Sequence, residues 1–362
     1  MFNKQMLKMH PHINNAHWVA NRISSACNQN TIMQIESENN YSDHYFGNTW
    51  DWTPAINSAV YGRTENFSPS DIESLGSGQF MRVPYRRIPI INVHSIDELL
   101  HLSAKLSPRN DGTKIVWRGQ SKQYSLQRDD SDKLRLYGDT SIFEPSMLPS
   151  ASRQNVYFPD IFDTWSSLLD IFIRVVNKGE GKDEVNRRAD RFQSSYKYRQ
   201  WGFATAQHYG LPSVGLDVTH DIFVALYFAT NCFKTNQLTG EMSVSRATED
   251  EDPVIYAMDG FEDYDLLEDE KISPYWLHCE RPKAQSARFF TSGWGSATNR
   301  AANRIYVAFR LIGHTKWKTP YDSQFIFPNA EKDHFLKFLI SDCKTYDFPF
   351  VKDVINKIYY VP

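Results

Sequence analysis

One stretch of the chain places a guanidinium where an anion could be bound. Trp117-Arg118-Gly119 ends a short apolar run that predicts a buried strand. The Arg118 side chain offers a planar fork of donors suited to phosphate or carboxylate, and a glycine beside it would let a ligand approach the backbone. A second interpretation remains open, because an arginine at this position would equally form a structural salt bridge that anchors the following loop.

A second stretch, Gln207-His208-Tyr209-Gly210, combines an amide, an imidazole and a phenol. Together these groups would form a hydrogen-bonding and stacking surface for a base or another ring. His208 would act as an acid or a base, because imidazole changes its charge near neutral pH. The alternative is that Gln207 and His208 are buried and join loops through hydrogen bonds, as most buried polar groups do.

Asp217 and Thr219 lie just before an apolar segment that predicts a helix, with Ile222, Leu226 and Ala229 on one face. Thr219 is predicted to cap this helix, because a threonine hydroxyl can accept a backbone N–H of the first turn. Helix N-termini gather such donors and therefore attract anions. Plain capping is the alternative interpretation, and it suits Thr219 better than Asp217.

Two further polar residues, Glu280 and Gln285, lead into a predicted strand in the C-terminal half. Glu280 is the nearest acid that could stabilise a developing cation or take a proton. An isolated glutamate in a polar run is ordinarily a surface residue, which is the alternative.

The elements that must position these groups mix strands and helices without a regular βαβ order, so the predicted class is α+β. Residues 234–252 are polar and are predicted to form a loop. A Ser95-Ile96-Asp97-Glu98 capping box starts one predicted helix. The other predicted helices cover 162–176, 219–233 and 333–340, and the predicted strands cover 88–93, 114–117, 254–258, 287–290, 305–309 and 324–328.

Composition limits the classes of function. The 362 residues are 41% hydrophobic, and the formal net charge of −3 gives no overall basic character that would indicate nucleic-acid binding. The four cysteines, Cys27, Cys232, Cys279 and Cys343, share no metal-binding spacing and are predicted to be reduced thiols of a cytoplasmic protein. No run approaches the roughly 18 apolar residues of a membrane span, so no membrane partner is expected.

The chain divides into two predicted parts. Residues 1–88 are polar with isolated tryptophans and are predicted to be an aromatic-rich N-terminal extension packed on the main domain. Residues 89–362 are predicted to form that domain. An arm that binds a target or an antitoxin is the alternative role for the extension, because aromatic residues are enriched at interfaces.

In this order along the chain, four blocks resemble the FRG-domain family, which is named after a Phe/Tyr-Arg-Gly motif. The blocks are Trp117-Arg118-Gly119-Gln120, Glu144-Pro145-Ser146 with Arg153, AQHYGLP at 206–212 followed by Leu216-Asp217, Thr219 and VALYFA at 224–229, and Arg281, Ala284, Gln285 and Phe289. The chain departs from the family at SVGLDVT, residues 213–219, where relatives read Thr-Arg-Leu-Leu-Asp-Trp-Thr. The arginine and the tryptophan of that block are therefore missing here.

At a greater distance, the order of these segments resembles the R-S-E arrangement of ADP-ribosyltransferases. The resemblance implies a mixed, split β-sheet core and NAD as the substrate. It implies that Arg118 holds the NAD phosphates, that Asp217 and Thr219 lie at the middle block, and that Gln285 or Glu280 takes the third position. The residues around these positions would line the cofactor site, namely Gly119, Gln120, Gln207, Tyr209 and Thr219. A similar fold does not by itself establish a shared activity, so the chemistry must be argued from the residues of the site.

The resemblance implies an NAD-dependent ADP-ribosyltransferase-like toxin or effector in bacterial phage defence or a toxin–antitoxin system. Its acceptor would be a macromolecule, with nucleic acid slightly favoured over protein, and an antitoxin would contact the N-terminal extension. Two alternatives stay open: an NAD glycohydrolase on the same site, and a non-catalytic module that binds a nucleotide or a partner.

Overall fold

The computed structural model describes a little over half of the chain. It covers residues 76–83, 86–106, 113–131, 133, 139–150, 168, 172, 187–188, 190–192, 194–211, 213, 215–261, 266–268, 272–273, 277–290, 299–341 and 358–362. Most of the predicted N-terminal extension and of the predicted helix at 162–176 lies outside these residues, as do Cys27, Cys343 and Arg153.

An eight-stranded sheet forms the centre of the described fold. Its members are β1 (Gly76–Val83), β2 (Arg86–Val93), β3 (Thr113–Gln120), β4 (Leu216–Thr219), β7 (Val254–Phe261), β8 (Leu266–Glu268), β9 (Ala287–Phe290) and β10 (Ile305–Leu311). Their order across the sheet is β1-β2-β10-β7-β3-β4-β9-β8. Strands β2 and β10 pair in parallel, and the other described neighbours pair antiparallel, so the sheet is mixed. Together with the helices, this sheet confirms the predicted α+β class.

The helices begin where polar side chains satisfy the first turn. The Ser95 hydroxyl accepts from the Glu98 amide at 3.1 Å, and the Glu98 carboxylate accepts from the His94 amide at 2.6 Å. The predicted capping box is therefore present. The helices are α1 (Ile96–Ser103), α2 (Tyr196–His208), α3 (Ile222–Thr230), α4 (Glu280–Ala284), α5 (Ser323–Ile326) and α6 (His334–Ile340), with 3₁₀ turns at Arg300–Arg304 and His314–Lys316.

Alternation along the strands divides the core into two layers. On one face of the sheet, Trp117 packs with Ile255 and with Ala225 and Ala229 of α3. On the other face, neighbours in the same strands, such as Val116, pack into a second cluster that contains Leu216, Val218, Tyr256 and Met258. Successive side chains of a strand point to opposite faces, so a buried sheet needs such a cluster on each side.

The sheet is nearly divided between β3 and β4. One residue pair, Trp117 with Thr219, joins these two strands, whereas eight pairs join β3 to β7. Antiparallel strands that pair at one position and then separate leave backbone groups without ladder partners. The eight strands still form one continuous sheet, and this weakly paired boundary lies beside Arg118 and Asp217.

Two local predictions, the cap of α3 and a strand at residues 324–328, were wrong. Asp221, and not Thr219, caps α3: its carboxylate accepts from the Phe223 amide at 2.8 Å. Residues 324–328 form no strand, because the Asp322 side chain accepts from the Phe325 amide at 2.8 Å and starts the helix α5 instead. Short apolar runs do not separate strand from helix, and the cap decides here.

The predicted loop at 234–252 contains most of a hairpin. Strands β5 (Asn231–Thr235) and β6 (Met242–Arg246) pair antiparallel outside the main sheet. Gly240 turns the chain at φ +76° between them, a backbone conformation that glycine adopts readily.

Among the described helices, none is long and apolar enough to cross a membrane.

Candidate active site

A cavity of about 170 Å³ lies where β3 and β4 separate. Its walls come from both strands, from α3, from the ends of α2 and α4, from the start of β9 and from the C-terminal segment. Six of the predicted site residues line this one cleft, namely Arg118, Gly119, His208, Asp217, Thr219 and Gln285. They come from distant positions in the sequence, and the fold alone brings them together.

His208, the last residue of α2, lies at the centre of a polar chain. Its Nε2 atom is 3.3 Å from Oδ1 of Asp217, and its Nδ1 atom is 3.1 Å from Oε1 of Gln285. The amide nitrogen of Gln285 in turn donates to the carbonyl oxygen of Ile326 at 3.1 Å. The His208 side chain is buried, whereas the Asp217 side chain is 37% exposed. The carboxylate is therefore the member of the chain that a molecule in the cleft can reach.

Strand β4 presents its polar side chains to the cleft because it alternates. Leu216 and Val218 belong to the apolar cluster on one face, and Asp217 and Thr219 lie between and after them on the other. The Thr219 hydroxyl donates to the main-chain oxygen of Gln285 at 2.8 Å and accepts from the amide of Asp221. These bonds hold the start of α3 and the end of α4 against β4.

Arg118 bridges the split in the sheet. Its Nη1 atom donates to the main-chain oxygen of Asp217 at 2.5 Å, at a level where β3 and β4 no longer pair. On the other side Arg118 pairs with Tyr256 of β7. Burial raises the pKa of Tyr256, and the charge of Arg118 partly offsets that rise. Arg118 thus has a structural bond and also lines the cleft, so both interpretations of this residue have a physical basis.

Gly119 is required by the helix behind it. A Cβ atom at this position would lie 1.8 Å from the carbonyl oxygen of Ala225 and 2.9 Å from the amide nitrogen of Ala229. We expected the missing side chain at Gly119 to make room for a ligand, but the space that a Cβ atom would take is filled by the backbone of α3. Helix α3 occupies that space, although Gly119 also borders the cleft.

Four predicted site residues do not line this cleft in the part of the chain that the structure describes. Tyr209 is buried, and its hydroxyl donates to Asp333 at 2.7 Å. Burial, with the nearby Asp333 charge, raises the pKa of Tyr209 well above its ordinary value. The Glu280 carboxylate accepts from Lys283 at 2.9 Å on the exposed side of α4. Gln120 and Gln207 lie near the ends of β3 and α2 and are likewise absent from the lining.

The sequence reasoning missed a buried arginine that supports the site from behind. The Arg281 guanidinium donates to the main-chain oxygens of His208 at 2.5 Å and of Tyr359 at 3.2 Å. It lies over the rings of Tyr209, Tyr359 and Phe327, with centroid distances of 4.8, 5.1 and 5.5 Å. Cations are attracted to aromatic faces, and this cage accommodates a charge that is fully buried.

Asp333 joins the elements around this arginine. Its carboxylate caps α6 through the Leu336 amide at 2.8 Å and accepts from the Glu280 and Arg281 amides at 3.1 and 3.0 Å. Burial raises the pKa of Asp333, and the hydrogen bond from the Leu336 amide opposes that rise. The cap places α4, and with it Gln285, at the cleft. The signal for Arg281 was its place in the fourth block of the resemblance, whereas Asp333 was visible only as a helix start.

Two aromatic side chains that were not predicted also line the cleft, Phe228 of α3 and Tyr359 of the C-terminal segment. Burial raises the pKa of Tyr359, the Arg281 charge lowers it and the Asp217 charge raises it. The Tyr359 ring therefore lies within the field of the cleft carboxylate. No pattern in the tail indicated this contact, because it depends on the tail returning to α2 through the bond from the Tyr359 amide to the Tyr209 oxygen.

The Glu144-Pro145-Ser146 block has a structural role in the described part of the chain. Glu144 is buried and accepts from Nε and Nη2 of Arg128 at 2.6 and 3.0 Å. The Asn299 amide donates to the same carboxylate at 2.8 Å. These bonds tie the irregular segment after β3 to the turn before β10. Among the described side chains, no group of three or more His, Cys, Asp or Glu is placed to hold a metal ion.

The comparison with protein families agrees with this geometry. Residues 113–237 match the family model of the FRG domain, and the chain therefore contains an FRG domain. No curated protein and no solved structure matches the chain. The matched span contains Arg118, His208 and Asp217, whereas Gln285 and Tyr359 contribute to the same cleft from outside it.

Proposed function

We propose that the cleft binds NAD and that the protein transfers ADP-ribose from NAD to a macromolecule, with nucleic acid slightly favoured over protein. The observation that supports this proposal is the meeting of Arg118, His208, Asp217 and Gln285 at one split in the sheet. A guanidinium, a carboxylate and an imidazole within one partly enclosed cleft suit the negative phosphates of NAD and the positive charge that develops on its ribose as nicotinamide leaves.

Arg118 is proposed to bind the phosphates of NAD. Its Nη1 atom is already bound to the main-chain oxygen of Asp217, so the guanidinium is held in place before any ligand arrives. A group that is held in this way loses little freedom on binding, and preorganised charge is the effective kind in catalysis. Because arginine presents several donors in one plane, a structural bond through Nη1 is compatible with a phosphate contact.

Asp217 is proposed to stabilise the positive charge that develops on the ribose as nicotinamide leaves. Its side chain is 37% exposed beside the buried His208 and is the acid that lines the cleft. Glu280 has no part in this proposal, because its carboxylate pairs with Lys283. Gln285 likewise supplies no negative charge. We therefore propose that Asp217, which the resemblance assigns to the middle block, performs the role of the acid at the third position.

The size of the cleft indicates which end of the dinucleotide it would enclose. Its volume of about 170 Å³ is below the roughly 300–1,000 Å³ of most drug-sized ligand sites. We therefore expect the nicotinamide and its ribose to enter, with Phe228 and Tyr359 as aromatic contacts, and the adenosine half to lie further out. The exclusion of water around the reacting ribose would favour transfer over hydrolysis.

An NAD glycohydrolase is the second candidate, and the exposure of Asp217 favours it. A carboxylate that is 37% exposed can be reached by water, which would then be the acceptor. A module that binds a nucleotide without reaction is the third, and the structural bond of Arg118 favours it. In all three cases the cleft is the same and only the fate of NAD differs.

Incubation of the protein with NAD labelled in the adenylate part separates these candidates. Label on RNA, DNA or protein supports transfer, free ADP-ribose with nicotinamide supports hydrolysis, and intact NAD supports the binding module. Asp217→Asn should abolish the release of nicotinamide, and Glu331→Gln, which removes an exposed acid elsewhere, should leave it unchanged. Equal activity of Asp217→Asn and wild type would exclude this cleft as the site.

The proposed biological role is bacterial phage defence or a toxin–antitoxin system in the cytoplasm. Modification of a cellular macromolecule would be harmful, so expression in bacteria should slow growth, and an antitoxin that contacts the N-terminal extension should relieve the effect. The growth of cells that express wild type or Asp217→Asn, with plaque counts after phage infection, tests this role. Equal growth defects in the two strains would contradict it.

A further inference from the structure

The orientation of one amide determines where a proton lies in the cleft. The Gln285 side chain reaches a main-chain carbonyl, that of Ile326, at 3.1 Å from its terminal nitrogen. A carbonyl oxygen can only accept, so the NH₂ end of the amide must face Ile326. The oxygen end of the same amide then faces Nδ1 of His208 at 3.1 Å. This assignment follows from the chemistry of the two partners.

His208 must therefore carry a proton on Nδ1. The Gln285 oxygen is an acceptor, and a nitrogen lone pair at this distance from it would leave two buried acceptors facing each other. A neutral imidazole has one N–H, so a neutral His208 would have a bare Nε2. That bare nitrogen would lie 3.3 Å from Oδ1 of Asp217, which is another acceptor when it is ionised.

We propose that His208 and Asp217 hold one additional proton between them, as an imidazolium paired with a carboxylate, and that Gln285 is the positioning residue that fixes this arrangement. A proton on Nε2 replaces the contact between two acceptors with an ion pair whose Nε2 and Oδ1 atoms are 3.3 Å apart. The buried ring takes the positive charge, and the solvent-facing carboxylate keeps the negative one. The proton assignment rests on the geometry by itself, and only its role in transfer rests on the proposed function.

The other charged and titratable groups around the pair are compatible with this assignment. Arg281 donates to the main-chain oxygen of His208, and Arg118 donates to that of Asp217, so each guanidinium adds positive charge near one partner. The Arg281 charge opposes the imidazolium, but its guanidinium lies over three aromatic rings. Tyr359 lies within the field of Asp217, and its raised pKa keeps the phenol neutral.

In the proposed reaction, the additional proton stays on His208, so Asp217 remains a carboxylate and can act as the base. The bond between ribose C1′ and the nicotinamide nitrogen breaks, and its electron pair leaves with neutral nicotinamide. The acceptor, which must carry an O–H or N–H, forms a bond to C1′ and gives its proton to the Asp217 carboxylate. The His208 imidazolium keeps its own protons during the step and stabilises the carboxylate before it. Acceptors without a removable proton are therefore excluded as substrates.

Nitrogen-15 NMR of histidine-labelled protein tests the proton assignment without NAD. Comparison of the wild-type spectrum with that of His208→Gln identifies the signals of this ring among the 11 histidines. At about pH 7 the wild-type ring is expected to carry protons on both nitrogens. Asp217→Asn should lose the proton on Nε2 and keep that on Nδ1, because a carboxamide can donate to the bare nitrogen. Glu331→Gln should leave the His208 signals as in wild type.

The positioning role of Gln285 has its own variants. Gln285→Leu removes the acceptor at Nδ1 and should leave a neutral ring whose one proton, on Nε2, faces Asp217. Gln285→Glu keeps an acceptor at Nδ1 and should keep protons on both nitrogens, although it loses the bond to the Ile326 oxygen. If NAD is cleaved, Gln285→Leu should lower kcat more than it changes KM and should shift the pH profile. A wild-type ring with a single proton, or identical spectra for wild type and Asp217→Asn, would overturn the assignment. Either result leaves NAD cleavage to be decided by the labelling experiment alone.

Discussion

The Nη1 atom of Arg118 lies 2.5 Å from the main-chain oxygen of Asp217, across the point at which β3 and β4 separate. One side chain thus replaces part of a missing backbone ladder and also borders the cleft. The two roles predict separate effects of mutation, since a structural bond affects the free energy of unfolding and a phosphate contact affects catalysis.

Arg118→Ala should lower both quantities. We expect the free energy of unfolding to fall by about 1–3 kcal/mol, because the Asp217 carbonyl loses a charged donor. We expect the release of nicotinamide from NAD to fall at least about 100-fold, because a preorganised charge is lost. Urea denaturation and the labelled-NAD assay measure the two effects. Arg118→Lys separates them further, since lysine retains the charge but lacks the fork.

The control for this pair is Lys318→Ala, which removes an exposed positive charge elsewhere in the described structure. It should change neither measurement. Full activity of Arg118→Ala at unchanged stability would show that this guanidinium serves neither the sheet nor the ligand.

Gly119→Ala should destabilise the fold by more than the usual cost of a methyl group. The added Cβ would lie 1.8 Å from the Ala225 oxygen. Gly119 is in β3 and Ala225 in α3, so neither atom can move aside without a shift of regular backbone. Overpacking of this kind costs about 1–3 kcal/mol or more. Gly313→Ala is the matched control: its Cβ meets no atom within 4 Å, so only the φ of +69° opposes it. Thermal and urea unfolding should rank Gly119→Ala as the less stable variant, and the reverse order would contradict the packing argument.

Gly215 and Phe289 should be energetically coupled. A Cβ at Gly215 would lie 2.3 Å from the Phe289 ring, which is fully buried. Gly215→Ala should therefore be destabilising alone and less so when Phe289→Leu makes room. A double-mutant cycle by urea denaturation should give a coupling of about 0.5–3 kcal/mol, as for other residues in contact. Additive effects would show that the ring moves aside without cost.

Tyr321 predicts a loss of stability at alkaline pH. Its hydroxyl donates to Asp221, the cap of α3, and this bond raises the pKa of Tyr321 to about 12. The folded state therefore keeps the phenol proton at pH values where the unfolded chain, with an ordinary tyrosine pKa of about 10, loses it. The contribution is complete below about pH 10 and disappears as the pH rises through about 12. Tyr321→Phe should lack this dependence.

The measurement is the difference in free energy of unfolding between wild type and Tyr321→Phe across this range, because lysines titrate equally in both proteins. A difference that stays constant from about pH 9 to about pH 12 would show that the phenol titrates alike in the folded and unfolded states.

The sequence predicted the strands of the site better than the contacts between them. Trp117-Arg118-Gly119 and residues 287–290 were recognisable because apolar side chains cluster where a strand is buried on both faces. The cap of α3 was placed two residues early, because both Thr219 and Asp221 have the chemistry of a cap and only the strand pairing of Thr219 decides between them. The convergence of His208 with Gln285 followed from motif resemblance, and no local pattern indicated it.

The support behind the site was not predictable from local sequence. Arg281 is fully buried, although charged residues ordinarily lie outside. The three rings around it come from the residue after α2, the segment after α5 and the C-terminal segment. A pattern within one window cannot show a contact of this range. The sequence showed that Val218 stands where relatives have a tryptophan. Only the structure shows that Val218 packs in the apolar cluster with Leu216, Tyr256 and Met258.

The placement of Gln285 and Tyr359 beyond the matched residues 113–237 has a practical consequence. A recombinant fragment trimmed to the family boundaries would contain the arginine and the carboxylate yet lack the amide that orients the imidazole and one aromatic wall. Strand β1, from Gly76, would be missing as well. A lack of activity in such a fragment would therefore reflect an incomplete cleft. The boundaries of an expressed fragment should include the whole sheet and the C-terminal segment.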